Sequence, residues 1–534
     1  MNLEPLYICY ALAAIVSFGG ALALTPLVRS VCRRYGLVDA PDAHRKIQKS
    51  AVALGGGVAV VLAMVLAITS VGAFAYSQDI LRFGSHAAVA FLVSLLAAAV
   101  GVVALGVLDD KTELRGRYKL IGQIGIVALL VFAGLRIDDF VVFGWRVNLG
   151  WAAIPFTFFW LVGSTNAINL MDGIDGLASS IGFVLCASLA AINIWLGNKS
   201  EAIIMLALAG ALLGFLRYNF NPASIYLGDA GSMLIGLIIG AVAIRSSTKG
   251  SAAVALAVPL TVWSVPILDS FAAILRRKLT GRSIFAADRG HFHHSLLVRG
   301  WSVRQASMFI ALVCAMTCLG AVMSFVYQRE WIALATVLFV MTFLVFTETF
   351  GHIEFALLKE RFHRSARSLT QSKQVQGKAR SVRLQGSLPW DELWDAMVES
   401  TDRYHLTRLK FSISVPRLHE AYFANWESQQ KPAEASEVWR LNYPLLVDGA
   451  TVGSIELSGV SPNDGLSTAV HIAQVLDFLE PIEDRIREIR GPLPGAQAPD
   501  TDDTTVDSQR GAVERDGAVT QVVAGTQAGA SPVA

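Results

Sequence analysis

Residues 166–178 read NAINLMDGIDGLA, with Asn166, Asn169, Asp172 and Asp175 at every third position between two apolar runs, 150–169 and 180–196. Polar groups three apart lie along one drifting face of a helix. These amides and carboxylates therefore read as presented to one polar ligand, with Gly173 and Gly176 permitting close approach. A charge inside hydrocarbon costs several kcal/mol or more, whereas the end of a spanning helix is reached by water, cations and lipid headgroups. The stretch thus reads as the polar end of membrane helices. The same arrangement recurs at Asp109-Asp110, after the apolar run 86–108, and at Asp229, ahead of the run 231–245.

The rest of the chain supports that class. Of 534 residues, 54% are apolar and 16% charged, where a soluble domain is near a quarter charged; the mean hydropathy is +0.51. Runs of spanning length, about 17–25 residues, fall near 6–28, 52–75, 86–108, 118–135, 150–169, 180–196, 201–216, 231–245, 252–275, 307–327 and 331–348, which makes eleven. The first run carries Glu4 before it and Arg29, Arg33 and Arg34 after it, so it reads as a retained span with its N-terminus outside. Arg45, Lys46, Lys111, Arg115, Arg117, Lys119 and the basic stretch from Arg276 to Arg304 crowd one side, against a sparse set such as Arg82, Arg136 and Lys199 on the other. The positive-inside rule makes the crowded side cytoplasmic, and all three Asp stretches lie on it. Net charge is only +2 and the basic residues are spread over loops, which excludes a nucleic-acid partner. Cys9, Cys32, Cys186, Cys314 and Cys318 show no metal or disulfide spacing and read as small buried hydrophobes.

The expected organisation is an all-α polytopic membrane domain over 1–351 and a basic linker over 352–383, followed by a small cytoplasmic α/β domain over 384–491 and a disordered tail over 492–534. The small domain is expected to hold an amphipathic helix at 390–404 and strands at 407–415 and 438–458, with Asp448-Gly449 as a hairpin turn, then a helix at 465–490. It holds no catalytic constellation. A GAF- or PAS-like regulatory module and an inert extension both fit.

Four segments carry chemistry. Leu108-Asp109-Asp110-Lys111 reads either as a solvated pair or as two carboxylates with separate tasks, because adjacent helix positions point apart. The second segment is 166–178. The third runs from Asn219 to Ser232, where Asp229 is either an N-cap or a hard oxygen ligand. Mg²⁺ is held by one or two carboxylates together with substrate phosphates, and Asp172 with Asp229 meets that need. The fourth, Asp288-Arg289-Gly290-His291-Phe292-His293-His294, places three imidazoles beside a guanidinium, suited to phosphate oxygens or proton transfer. A zinc site is its rival, but no cysteine pattern accompanies it.

Taken together and in this order, these segments resemble the polyprenyl-phosphate N-acetylhexosamine-1-phosphate transferase superfamily, which includes WecA- and TagO-like enzymes and MraY. Gly36-Leu37-Val38-Asp39-Ala40-Pro41, Arg45-Lys46 and Gly55-Gly56-Gly57 match the family's first cytoplasmic loop, with Gln48 where the family usually has His. The spaced histidines resemble the WecA/TagO branch more than MraY, whose histidines are consecutive.

The resemblance implies Mg²⁺-dependent transfer of HexNAc-1-phosphate, GlcNAc-1-phosphate first among the options, from a UDP-sugar to undecaprenyl phosphate with release of UMP; Mn²⁺ is the alternative ion. It implies metal ligands Asp172 and Asp229, and catalytic roles for Asp109, Asp110, His291, His293 and His294. Asn169, Asp175, Asn219, Lys119 and Arg289 are implied in substrate binding, with Asp175 and Asn219 at the uridine. It further implies a bacterial plasma-membrane location with site and C-terminus cytoplasmic, and leaves the oligomeric state open, a homodimer included. An MraY-like pentapeptide substrate is the near alternative. A secondary transporter is the distant one, since its charges would sit near the midplane on broken helices.

Overall fold

The computed structural model describes residues 4–39, 51–78, 86–142, 145–249, 263–279, 291–351 and 355, and then 378–385, 390–415, 420–428, 438–447, 450–460 and 468–490. The chain divides into two compact units, Met1–Lys359 and Glu360–Ala534.

The described helices of the first unit are α1 (Glu4–Arg34), α2 (Gly56–Ser77), α3 (His86–Thr112), α4 (Gly116–Phe132), α5 (Ala153–Met171), α6 (Leu177–Leu196), α7 (Lys199–Asn219), α8 (Gly228–Lys249), α9 (Ser264–Leu279), α10 (Phe292–Val298), α11 (Val303–Val326) and α12 (Glu330–Phe346). A helix apolar on every side belongs in an interior. Accordingly α8 is the central rod, with Met233, Leu234, Ile235, Ile238 and Ile239 fully buried, and α2, α3, α5, α6 and α7 pack round it. The outer helices present Ile15, Leu62, Val93, Phe159, Leu312 and Phe339 outward, as helices facing lipid do when their backbone groups are satisfied internally. Seven described helices are long and apolar enough to cross a membrane by length and composition. The unit is a multi-pass membrane protein. Every expected apolar run coincides with a described helix, although the first part of 252–275 lies outside the described residues. The free cysteines are all buried.

Small residues let the helices meet closely. A Cβ on Gly106 of α3 would lie 2.3 Å from Ala230 Cα, so the glycine brings α3 onto the first turn of α8. One turn further along α3 stand Asp109 and Asp110. A short sheet supports the same corner: β1 (Val38–Asp39) runs antiparallel to β2 (Val52–Leu54), which pairs in parallel with β5 (Ile225–Tyr226), Ala53 opposite Ile225. It ties the first loop to the segment entering α8. A hairpin of β3 (Asp139–Val142) and β4 (Trp145–Asn148) lies between α4 and α5.

Among the described residues, the second unit holds an antiparallel five-stranded sheet and two helices. Strands β6 (Lys378–Gln385), β7 (Leu406–Val415), β8 (Glu420–Glu427), β9 (Val438–Val447) and β10 (Ala450–Val460) are ordered β6-β8-β7-β10-β9. Helices α13 (Trp390–Glu399) and α14 (Thr468–Arg490) cover a core that includes Trp390, Trp394, Phe411, Tyr422, Ile455 and Leu479. Both expected helices are present, and the expected strands are β7 and the β9–β10 pair. Strands β6 and β8 complete the sheet without having been expected, and Asp448-Gly449 lies outside the described residues.

Candidate active site

The site is assembled where the ends of α3, α4, α5 and α8 meet. Lys119, in the first turn of α4, is its hub. Its Nζ lies 2.9 Å from Asp109 Oδ2 and 2.5 Å from Asp229 Oδ2, and it donates to Asn169 Oδ1 at 3.0 Å. Asn169 in turn donates through Nδ2 to Asp229 Oδ1 at 2.7 Å and to Ser232 Oγ at 3.0 Å. Residues from four helices are thereby locked into one polar patch.

The two adjacent carboxylates point apart, as one step of about 100° round a helix requires. Asp109 is held by Lys119 and accepts the Leu114 N–H at 2.8 Å through Oδ1. Asp110 turns to α8, where its Oδ1 accepts the Asp229 N–H at 3.0 Å. The first turn of a helix leaves N–H groups unsatisfied and attracts negative charge. Asp110 fills that role across the interface, so Asp229 is not the cap of its own helix and its carboxylate is free to face Lys119 and Asn169. Gly228 is required here: its φ is +72°, and a Cβ would fall 2.6 Å from Asp110 Oδ2. That Oδ2 is buried and has no hydrogen-bond partner among the described residues.

Asp172 stands just beyond α5. Its carboxyl is held well above the usual carboxylate range, first by burial and then by the negative charges of Asp229, Asp110 and Asp175, although part of the residue's surface still reaches solvent. Asp109 and Asp229 thus share the ammonium of Lys119, and Asp110 and Asp172 add two further carboxyl groups close to Asp229. Among the described residues no three His, Cys, Asp or Glu side chains form a metal cage by themselves. Hard oxygen donors with an unpaired Asp110 Oδ2 still fit Mg²⁺, which takes few protein carboxylates and completes its shell with phosphates and water.

The third-residue spacing does not place Asn166, Asn169, Asp172 and Asp175 on one helical face. Helix α5 ends at Met171, and Asp172 has φ −79° and ψ 56°, so the helical period stops there. Asn166 donates to Gln123 Oε1 at 2.7 Å, and Asn169 belongs to Asp229. Asp175 accepts from Asn221 Nδ2 and from the Ala223 N–H, both at 2.9 Å. Asn219 is buried, accepting from Ser179 Oγ at 2.8 Å and donating to the Ile225 carbonyl at 3.1 Å. Asp175 and Asn219 therefore brace the loop between α7 and α8.

The histidine segment docks on the turn after α5. A Cβ on Gly173 would sit 2.2 Å from His293 Nε2, so the glycine lets the turn pack directly against that corner of the imidazole. His293 is almost fully buried, and neither ring nitrogen has a hydrogen-bond partner among the described residues. Its ring lies 6.0 Å from that of His291, at an interplanar angle of 6°, and 4.3 Å from that of His294. Burial, then the neighbouring His294 and His291, holds His293 well below the usual imidazole range. Arg289 lies outside the described residues, as do Arg45, Lys46 and Gln48.

Two buried polar residues at the site escaped the sequence reading. Gln123 on α4 pairs with Asn166 in both directions, at 2.7 and 3.3 Å. Asp269 on α9 lies 2.7 Å from His291 Nδ1 and accepts the Phe292 N–H at 2.8 Å. Its signal was present, since a lone carboxylate within an apolar run is a functional mark by default.

A family model described as glycosyl transferase family 4 matches residues 92–247, the stretch that holds Lys119 together with Asp109, Asp110, Asp172 and Asp229. The chain is 33% identical over 313 residues to the Bacillus subtilis protein named "Probable undecaprenyl-phosphate N-acetylglucosaminyl 1-phosphate transferase", an alignment spanning 58% of this chain and 84% of that one. It is 30% identical over 331 residues to the undecaprenyl-phosphate alpha-N-acetylglucosaminyl 1-phosphate transferase of Escherichia coli O157:H7, spanning 60% and 84%. The phospho-N-acetylmuramoyl-pentapeptide-transferase of Geobacillus kaustophilus is 32% identical over 310 residues, spanning 54% and 90%. With its carboxylates on the matched helices and relatives aligned over most of their own length, the chain belongs to glycosyl transferase family 4.

Proposed function

We propose that the protein transfers HexNAc-1-phosphate, GlcNAc-1-phosphate in the first place, from a UDP-sugar to undecaprenyl phosphate, releasing UMP and starting a lipid-linked cell-envelope polysaccharide. The observation that carries the proposal is the cluster of Asp109, Asp229 and Asn169 on Lys119 with Asp172 beside it, a negatively charged pocket at helix ends. The relatives' names supply the substrates. The spaced histidines, His291, His293 and His294, favour the HexNAc branch over a pentapeptide-bearing sugar.

Phosphoryl transfer asks a protein chiefly for positioning and charge neutralisation. An oxygen of the lipid phosphate attacks the sugar-proximal phosphorus, a new P–O bond forms, and the bond to UMP breaks. Mg²⁺, held by Asp172 and Asp229, would supply Lewis-acid neutralisation of the diphosphate. Asp110 keeps Asp229 in place by accepting its N–H in the first turn of α8. Asp109, beside the ammonium of Lys119, orients the attacking phosphate, and Lys119 exchanges its carboxylate partners for substrate oxygens. Asp175 and the loop braced by Asn219 form the uridine end; Arg289 and the histidines hold phosphate oxygens. The site faces the cytoplasm from a bacterial plasma membrane crossed about eleven times, and the second unit is a regulatory domain of GAF or PAS type.

Exchange of radiolabelled UMP into UDP-HexNAc tests this directly. A transferase supplied with Mg²⁺ and undecaprenyl phosphate exchanges the label, and a transporter does not. Absence of exchange from a folded, Mg²⁺-supplied protein across a panel of UDP-sugars would defeat the proposal.

A further inference from the structure

We propose that Asp269 is a positioning residue for the transfer, acting through His291; the inference rests on the function proposed above. Asp269 lies on α9 and is fully buried. A carboxylate cut off from water needs partners of its own, because an uncompensated buried charge costs several kcal/mol. Among the described residues it has two, and they are neighbours in sequence. Oδ2 lies 2.7 Å from His291 Nδ1, and Oδ1 accepts the Phe292 N–H at 2.8 Å. A single carboxylate therefore pins both the ring and the backbone at the start of α10.

The chemistry of that contact sets the tautomer. An ionised carboxylate only accepts hydrogen bonds, so a hydrogen sits on His291 Nδ1, and Nε2 is left to accept a proton from a substrate phosphate hydroxyl or, once it carries that proton, to donate to a phosphate oxygen. The ring plane is fixed as well. His291 stacks parallel to His293, and His293 bears on Gly173, next in the chain to Asp172. A residue on α9 thereby aims one nitrogen of the histidine segment and joins that segment to the carboxylate cluster. Carboxylates hold metal-ligating histidines by the far nitrogen in the same way, and loss of such a partner costs about 10–100-fold, the scale adopted for His291.

The test uses the full-length protein with UDP-GlcNAc and undecaprenyl phosphate. Asp269→Asn keeps the side chain's size and leaves an oxygen for the Phe292 N–H, while offering an amide N–H to Nδ1. The expected result is a fall in kcat of about 10–100-fold, with KM for the UDP-sugar within about 2-fold of wild type, and partial recovery in Asp269→Glu. In a His291→Gln background the same substitution costs less than about 2-fold more, because both act on one unit. Wild-type kcat in Asp269→Asn, or equal losses in both backgrounds, would overturn the proposal. Nitrogen-15 NMR of labelled histidines reads the tautomer without turnover. The wild type is expected to show one imidazole with its hydrogen fixed on Nδ1, a signal that His291→Gln removes and Asp269→Asn shifts. Should the wild type transfer no sugar phosphate at all, the functional reading fails and NMR still decides: an unchanged signal in Asp269→Asn overturns the positioning role.

Discussion

The two ends of α8 both hold buried charge, and they hold it differently. At the far end, Arg245 Nε lies 2.8 Å from Glu201 Oε1, with Glu201 fully buried. The guanidinium covers the Phe91 ring at 4.2 Å, and Ser246 donates to Asn193 at 2.8 Å. One charge answers another, and the polar atoms are spent on each other. At the near end, Asp229 shares Lys119 with Asp109, and Asp110 and Asp172 crowd two further carboxyl groups beside it, enough to push the Asp172 carboxyl upward. Buried charge alone therefore marks packing as readily as chemistry. An imbalance that an incoming cation and phosphates would relieve marks the site.

Asp229→Asn should give the largest effect, a fall in kcat of about 1,000-fold or more, measured as UMP exchange, with loss of the Mg²⁺ response. Full activity in this variant would remove Asp229 from the metal site and erase the contrast. Glu201→Ala removes the fully buried carboxylate that pairs with Arg245 and should cost about 3–5 kcal/mol of stability that no cation restores. Lys119→Met should cost less, and millimolar Mg²⁺ should recover the loss. Thermal unfolding with and without Mg²⁺ separates the two ends; identical behaviour would mean that both are structural clamps.

A smaller effect concerns pH. His293 is neutral in the fold because burial disfavours its charge, whereas the unfolded chain takes up the proton near pH 6.5. The unfolded state then binds more protons, so stability falls as pH drops below that value, by up to about 1.4 kcal/mol per pH unit. His293→Phe should flatten this acid limb relative to wild type, as followed by unfolding between about pH 5 and 7. The smallest change is expected from deleting 365–534, which removes most of the unit Glu360–Ala534. Basal exchange should stay within about 2-fold of wild type if that unit regulates, and complete loss in a properly inserted protein would give it a part in the chemistry.

Much of this was open to reading in the chain alone. Apolar runs and loop charges are sums over neighbouring residues, so the helices of the first unit and the three Asp stretches could be placed without coordinates. Local pattern failed where partners are distant. The third-residue spacing of Asn166 to Asp175 implied one face, but the helix stops at Met171 and those groups divide among three neighbours. Strands β6 and β8 went unseen because only the assembled sheet supplies their pairing.

By itself the sequence determined a membrane protein with acidic helix ends gathered at one surface, because hydrophobicity and charge act residue by residue along the chain. Tertiary packing alone decided which groups share a proton or a cation. Gly106 against Ala230 brings Asp110 to the start of α8, Lys119 reaches Asp229 across 110 residues of sequence, and Asp269 finds His291. Such pairings depend on ångström distances between helices, and no spacing within one segment encodes them.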